Sequence, residues 1–367
     1  MHFDNKGTRM LNLFSLRFPL FMRKLGIIIV LIGCFTSAHC QAFKGTVYDR
    51  STDSTLSSAI VYISGTSIGT NSDINGNFEL DISKYGFMPI TISMPGYYSV
   101  TLSGHDSNKM YDIYLYPKIR EPNGVIIKWE KGKWEEYLRI FKREFLGETN
   151  NASDCDILNE NDLRFYYNSD SSTLRVFTTQ PILIHNRALG YDITCYLDHF
   201  RYTHKYDKSG NPSETFGMMG NYLFKDDFST LSESEKSKVE EKRRSAYQGS
   251  CMQFLRLLYK GNLNQRGKFS VSLLDNSLFS TGFIIGSKTR INSNSLVIRK
   301  DSITSYFKNE GKLQIRFGTR YSTIDIRMDS VCFEKNGYFD PNEIWVSGDM
   351  SKRRIGDLLP FEYWLKQ

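Results

Sequence analysis

The stretch GTVYDRSTDSTLSSAIVYISGTSIGTNSDINGNFEL, residues 45–80, decides the N-terminal fold. Short apolar runs in it alternate with clusters of Gly, Asn, Asp and Ser, and the same pattern extends from Phe43 to Tyr116. It predicts six or seven short strands joined by turns. Such a series is typical of an antiparallel β-sandwich, here about 75 residues long.

The pentapeptide Gly65-Thr-Ser-Ile-Gly69 in this stretch matches the G-x-S-x-G pattern of serine hydrolases. A nucleophile elbow requires a strand before the serine and a helix after it. Residues 70–80 instead contain the turn formers Asp73, Asn75 and Gly76 and then continue as a strand. The flanking glycines therefore serve a β-turn, and we predict that Ser67 is not a nucleophile.

The same residues resemble the carboxypeptidase-regulatory-like domain, a transthyretin-like β-sandwich found at the N-termini of Bacteroidetes envelope proteins. The matching positions are Gly45, Val47, Asp49, Leu56, Ala59, Val61, Ile63, Gly65, Thr66, Gly69, Thr70, Asp73, Gly76, Phe78 and Leu80, followed by PGYYS at residues 95–99. Ser57 departs from the family at a turn that usually carries Pro or Gly. The resemblance implies a fold and an exported protein. It implies no peptidase, because in zinc carboxypeptidases this module is an accessory domain.

Residues 1–40 are predicted to be a secretory signal. Basic residues precede the apolar run Leu25–Phe35, which is shorter than the roughly 20 residues that span a bilayer as a helix. Cleavage is expected between Cys40 and Gln41. The motif LIGC ending at Cys34 supports a rival interpretation, in which lipidated Cys34 anchors the protein to a membrane. Either way, the protein is expected in the periplasm or at the outer membrane.

The charge of the chain argues against nucleic acid as a partner. Residues 1–40 carry a net +4, which leaves +3 of the whole chain's +7 on the mature protein. That charge is too small and too scattered for a nucleic-acid surface.

Four cysteines follow the signal: Cys155, Cys195, Cys251 and Cys332. An oxidising compartment permits disulfides, but the spacings contain no C-x-x-C and no metal-ligand rhythm. Buried free thiols are the favoured interpretation, and the disulfide state stays open.

Residues 118–128 are predicted to be a linker and residues 129–367 a larger α+β domain, rich in strands with helical insertions. Apolar residues at Trp134, Leu138, Phe141 and Phe145 predict an amphipathic helix that ends at Gly147. A second helix should begin with a capping box of Ser232 and Glu235, and a more apolar one should end at Gly261. The whole chain is thus mainly β or α+β.

This larger region resembles the uncharacterised C-terminal region that follows the sandwich in a set of Bacteroidetes secreted proteins. The resemblance rests on FKREFLGETNNASDCDILN, ALGYDITCYLDHFRY, RRSAYQGSCMQFLRLLY and RIGDLLPFEY. It implies an organisation of the chain and no catalytic residues.

Metal and acid–base chemistry find little support in the sequence. His199, His204 and Asp207 could share an ion only through a bulge or turn, because five residues along a strand place the two histidines on opposite faces. The carboxylates Asp192, Asp198, Asp226 and Asp227 have no context that marks a glycosidase pair. We predict no catalytic residue, no metal and no cofactor.

Residues 200–224 mix Phe, Tyr, Met and Gly in a hairpin-like segment. If exposed, Phe200, Tyr202, Phe216 and Tyr222 would form a partner surface that stacks on sugars or receives a protein. The alternative, which the pattern favours, is that these rings are the core of a mainly β domain.

We therefore expect a non-catalytic binding or assembly protein of the cell envelope. Its sandwich would be a spacer or docking module, and its larger domain would engage a protein, such as an outer-membrane transporter, or a glycan. The alternative is an envelope hydrolase acting on glycan or peptide, with its site in the larger domain.

Overall fold

The computed structural model describes residues 41–85, 88–106, 108–118, 132–206, 209–228, 231–263, 269–274, 288–341 and 343–365. The predicted signal, most of the predicted linker and Asp207 lie outside these residues. From Ala42 onward the chain forms one compact unit. None of the described helices combines the length and the apolar character needed to cross a membrane.

The N-terminal part contains seven strands: β1 (Ala42–Asp49), β2 (Ile60–Ile63), β3 (Gly69–Asn71), β4 (Asn77–Asp81), β5 (Ile90–Ser93), β6 (Val100–Leu102) and β7 (Met110–Leu115). They form two sheets, in the orders β4-β1-β7 and β3-β2-β5-β6. The apolar side chains of both sheets meet in one core, the sandwich core. The predicted seven-stranded sandwich is confirmed, but it is not wholly antiparallel, because β1 and β7 pair in parallel.

Two glycines of the opening stretch have steric reasons to be glycine. β1 and β7 run parallel with Gly45 opposite Tyr111, and a Cβ at Gly45 would lie 2.1 Å from the Tyr111 carbonyl oxygen. Gly76 has a φ of 80° in the turn before β4, which favours glycine. Asp73 closes that turn by accepting hydrogen bonds from the Asn75 and Asn77 amides, at 2.9 and 2.8 Å.

The larger region contains four α-helices and fourteen strands among the described residues. The helices are α1 (Trp134–Leu146), α2 (Asn150–Ser153), α3 (Glu233–Tyr247) and α4 (Cys251–Lys260). The strands are β8 (Cys155–Ile157), β9 (Arg164–Asn168), β10 (Thr173–Phe177), β11 (Ile182–Asn186), β12 (Tyr191–Tyr206), β13 (Pro212–Asp226), β14 (Phe269–Leu274), β15 (Lys288–Arg290), β16 (Val297–Arg299), β17 (Thr304–Lys308), β18 (Leu313–Phe317), β19 (Arg320–Ile326), β20 (Ser330–Glu334) and β21 (Ile344–Gly348).

This region, predicted as one α+β domain, has two hydrophobic cores. The first core lies between α1 and a six-stranded sheet of order β8-β11-β12-β10-β9, with β13 paired to β12. The second core lies between a five-stranded sheet (β15-β14-β18-β19-β21), a three-stranded sheet (β16-β17-β20) and α4. The predicted fold class, a sandwich followed by a β-rich region with helices, is confirmed.

The three predicted helices form with their expected ends. In α1, Phe141 and Phe145 are fully buried and their rings lie 4.6 Å apart. At α3, the side chains of Ser232 and Glu235 cap each other's backbone amides. Gly261 ends α4 in the left-handed conformation, with a φ of 68°.

The C-terminal segment, residues 353–365, connects all three cores. Ile355 and Leu359 pack in the first core, and the ring of Phe361 packs against the sandwich core. The Phe361 amide also donates to the Gly65 carbonyl oxygen at 2.9 Å. The segment therefore packs onto the body of the protein.

Arg256 on α4 holds the C-terminal segment from the side of the second core. Its side chain is 1% exposed, and its guanidinium donates to the carbonyl oxygens of Asn336 (2.6 Å), Tyr363 (2.6 Å) and Phe361 (3.0 Å). The guanidinium also lies 3.9 Å from the centre of the Trp364 ring.

We expect Arg256→Leu to lower the free energy of unfolding by about 3 kcal/mol or more, because it leaves one buried and two partly buried carbonyl groups without their donor. Urea unfolding of residues 42–367 measures the change. Arg316→Leu, at an exposed arginine of β18, is the control and should stay within about 0.5 kcal/mol of the parent. Equal losses in the two variants would contradict the role assigned to Arg256.

Candidate functional site

The hairpin of β12 and β13 is the longest element of the described chain, with strands of 16 and 15 residues. β13 forms the edge of the six-stranded sheet. Among the described residues other than those of β12, the backbone of β13 has partners at its C-terminal end alone, namely residues 64–66 of the sandwich. There the Gly65 amide donates to the Tyr222 carbonyl oxygen at 2.7 Å, and the Phe224 amide donates to the Thr66 carbonyl oxygen at 2.9 Å.

The rest of the β13 edge presents free backbone groups. The His204 amide donates toward β10, to the Ser172 carbonyl oxygen at 3.1 Å. His204 is opposite Glu214, so the backbone groups of Glu214 point away from β12. Because strand residues alternate, the backbone groups of every second residue of β13 point away from β12 from Glu214 as far as Tyr222. Among the described residues, no backbone hydrogen bond reaches the outward groups of the four residues between these contacts, namely Glu214, Phe216, Met218 and Gly220.

Little in the sequence of this edge protects it from pairing. Folded proteins commonly guard an exposed edge with proline, lysine or a bulge. Here Pro212 and Glu214 stand at one end, and residues 215–220 (TFGMMG) contain neither a charge nor a proline. The bulge of the hairpin lies on β12, between Leu197 and His199. Residues 214–220 are therefore free to pair with an extended chain.

The predicted aromatic partner surface is not exposed as such. Phe200 is 2% and Tyr202 7% exposed, and both lie in the first core. Phe216 and Tyr222 are half-buried against the same core. The reason is register: Tyr202 is opposite Phe216, and strand alternation turns all four side chains to the core-facing side of the sheet. The alternative interpretation, that these rings are core, is correct for Phe200 and Tyr202.

What remains exposed on the hairpin is the other side of the sheet. His199, Arg201 and Lys205 are exposed and alternate along β12 with the core-facing residues. The period-2 alternation of HFRYTHKY, residues 199–206, carries this signal in the sequence. The aromatic composition of residues 200–224 does not reveal this exposed basic side.

The bulge of β12 places Asp198 beside the sandwich. The Lys118 ammonium group donates to the carbonyl oxygens of Leu197 (3.1 Å) and Thr178 (3.5 Å). Oδ1 of Asp198 is buried without a hydrogen-bond partner among the described residues. Burial raises the pKa of Asp198 and lowers the pKa of Lys118. Desolvation of the two charges therefore outweighs their mutual attraction.

We expect Asp198→Asn to stabilise the protein at pH 7. A folded-state pKa above the unfolded value means that stability is fully present below the unfolded pKa, about 3.9, and is lost as pH rises through the folded pKa. Asp198→Asn removes the ionisable group and with it this loss of stability. The difference in free energy of unfolding between the variant and the parent should therefore shrink toward pH 4. Urea unfolding at both pH values measures this, with exposed Asp170→Asn as the control. A less stable Asp198→Asn at pH 7 would contradict the assignment.

Ser67 lies in a turn between two strands, β2 and β3, so the nucleophile elbow is absent. Its backbone amide and hydroxyl both donate to Oε1 of Glu362, at 2.6 and 2.8 Å. The residue thus anchors the C-terminal segment to the sandwich.

A fluorophosphonate probe is expected to label the parent protein and Ser67→Ala to the same extent, because Ser67 lies in a turn between two strands rather than in a nucleophile elbow, and its hydroxyl bonds a carboxylate rather than a histidine. The same variant should lose about 1 kcal/mol of stability with the bond to Glu362. In-gel fluorescence and urea unfolding give the two readings. Labelling that disappears only in Ser67→Ala would contradict the structural role.

The remaining titratable candidates are engaged in different places. Asp192 bonds His185 at 2.8 Å, and Asp226 bonds Arg243 at 3.1 Å. Nδ1 of His204 lies 3.2 Å from Glu214. Within the described ranges, no three His, Cys, Asp or Glu side chains are placed to hold a metal ion.

The four cysteines are free thiols in the structure, at Cys155, Cys195, Cys251 and Cys332. Burial raises the pKa of each of them, to about 12 for Cys155 and Cys251. A thiol with a raised pKa is a poor nucleophile at neutral pH. Cys155 and Cys195 are side chains of the first core, Cys251 packs against the second core, and Cys332 is half-buried.

Residues 43–127 match the family of the CarboxypepD_reg-like domain. The match covers the sandwich and supports the resemblance on which its fold was predicted. No curated protein matches the chain.

Proposed function

We propose that this protein is a non-catalytic binding or assembly protein of the cell envelope. The observation that carries the proposal is the free edge of β13, defined as residues 214–220. Four residues there direct backbone amide and carbonyl groups outward without a partner in the described chain. An extended polypeptide can satisfy such a row by adding a strand to the sheet.

The molecule already uses this mode of pairing within itself. Thr66 forms a parallel bridge with Leu223, next to the free edge. A strand that pairs with residues 214–220 would lie along the same edge of β13 as residues 64–66. The rest of the protein already holds that edge in place. Pre-organisation of this kind lowers the entropic cost of binding.

The CarboxypepD_reg-like sandwich is proposed to be the spacer or docking module. Its loop at residues 64–66 pairs with β13, and the Gly96 amide donates to the Thr179 carbonyl oxygen at 2.7 Å. The rings of Tyr62 and Tyr196 lie 5.9 Å apart across the same junction. These contacts support a sandwich that holds the hairpin in a fixed orientation.

The partner we propose is an envelope protein with an accessible extended segment, and the resemblance of the N-terminal domain makes an outer-membrane transporter a suitable example. The signal-like N-terminus, or lipidation of Cys34, would deliver the protein to that compartment. The rival function, a hydrolase with its site in the larger region, gains no support from Asp192 and Asp226, because they bond different side chains, His185 and Arg243.

Proline scanning of the edge is expected to separate backbone pairing from side-chain contact. Met218→Pro removes an outward amide and projects a ring toward the incoming strand, whereas the control Met218→Ala removes only the side chain. A photo-crosslinking amino acid at exposed Met219, in the full-length protein in intact cells, reports the partner. The crosslink to one defined envelope protein should fall at least about fivefold in Met218→Pro and persist in Met218→Ala.

Equal crosslinking in the two variants would overturn the strand-addition mechanism. No crosslink above that of the same amino acid at exposed Ser51, on the sandwich, would overturn the binding function at this edge. Urea unfolding curves of the two variants should agree with each other, because the outward amide of Met218 has no partner in the part of the chain that the structure describes.

A further inference from the structure

The exposed side of the six-stranded sheet brings two arginines into direct opposition. Arg175 on β10 is opposite Arg201 on β12, and the same cross-strand row continues to Tyr166 on one side and Gly217 on the other. Both arginines are exposed. Their strand neighbours face the first core, so both side chains lie on the side turned away from it.

No carboxylate compensates this pair in the described part of the chain. Neither Arg175 nor Arg201 forms an ion pair or a side-chain hydrogen bond there. Directly opposed residues of an antiparallel pair have Cβ atoms about 5 Å apart, and like charges at that distance destabilise the sheet. An uncompensated cost of this kind is typical of positions kept for a ligand.

The surroundings of the pair are open and rich in hydrogen-bonding groups. A Cβ added to Gly217, beside Arg201, would meet nothing within 4 Å. In the next row of the sheet, Thr173 and Thr203 are buried and their hydroxyls bond each other at 3.0 Å, whereas Asn168 and Thr215 at the two ends of the row are exposed. His199 and Lys205 extend the line of basic groups along β12, at a rise of about 3.4 Å per residue.

We infer that Arg175 and Arg201 bind the carboxylate groups of an acidic glycan that lies across this face. A guanidinium binds a carboxylate through two parallel hydrogen bonds, so two adjacent guanidiniums match one or two such groups. The basic residues that continue along β12 suit a polymer with repeated anions, and the exposed side chains of Asn168 and Thr215 in the neighbouring row suit sugar hydroxyls. This site goes beyond the proposed protein-binding edge and uses a different surface of the hairpin.

The test is isothermal titration of residues 42–367, the compact unit of the fold, with oligogalacturonate at low ionic strength. Arg175→Ala and Arg201→Ala should each weaken binding about tenfold or more, and added NaCl should weaken it further. Arg316→Ala removes the same charge from an exposed position on another sheet and should leave the affinity within about twofold of the parent. Neutral galactose oligomers should not bind.

Absence of oligogalacturonate binding, or equal losses in Arg201→Ala and Arg316→Ala, would overturn the inference. Inorganic phosphate provides a further arm of the test. If phosphate binds as tightly as the oligomer and with the same arginine dependence, the glycan assignment is wrong and the face is a simple oxyanion site.

Arg175→Glu provides a second measurement, the melting temperature, which does not depend on the choice of glycan. It converts the cross-strand repulsion into an attraction, so the melting temperature should rise while oligogalacturonate binding is lost. Such a result would show that the pair lowers stability and serves binding. A lower melting temperature would contradict the premise that the two guanidiniums repel each other without compensation.

Discussion

The buried guanidinium of Arg256 is the contact on which the arrangement of the three cores depends. It extends from the helix of the second core and binds the carbonyl groups of the C-terminal segment. That segment fills part of the first core and places Phe361 against the sandwich. Because the last residues of the chain close all three contacts, the folded unit extends over the whole of residues 42–367.

The junction between the sandwich and the rest of the chain explains why a hydrolase-like motif occurs where no nucleophile elbow forms. The loop at residues 64–69 meets two elements at once: the edge of β13 and the C-terminal segment. Gly65 has a φ of 78° and lies against the ring of Phe361, where a Cβ would come within 2.7 Å. The small residues of this motif therefore serve close packing, which a one-dimensional pattern cannot distinguish from catalysis.

The hairpin of β12 and β13 divides its side chains between two tasks. One side supplies rings to the first core, and the other side carries basic and hydroxyl groups that face outward. The edge of β13 has a separate role, because the sandwich covers only part of it. Proposals for a protein partner at the edge and for an acidic glycan on the face follow from this division and involve different atoms.

Much of the fold was predictable because it rests on local interactions. The seven sandwich strands, the capping box at Ser232 and the glycine that ends α4 are specified by residues a few positions apart. The aromatic surface on residues 200–224 was misplaced because exposure depends on which side of a sheet faces a core, and α1 supplies that core from more than fifty residues away. Two cores within residues 129–367 were not separable by composition, since both are built from the same kinds of apolar strand.

The sequence by itself thus determined which segments form helices and strands and that the N-terminal part is a sandwich. It also determined that Ser67 does not lie in a nucleophile elbow. Only the tertiary structure decided that β13 has a free edge, that Arg175 stands opposite Arg201, and that Asp198 and Lys118 share a buried junction. The physical reason is the range of the forces. Turn chemistry and helix capping act over a few residues, whereas strand register and desolvation depend on neighbours that only the folded chain brings together.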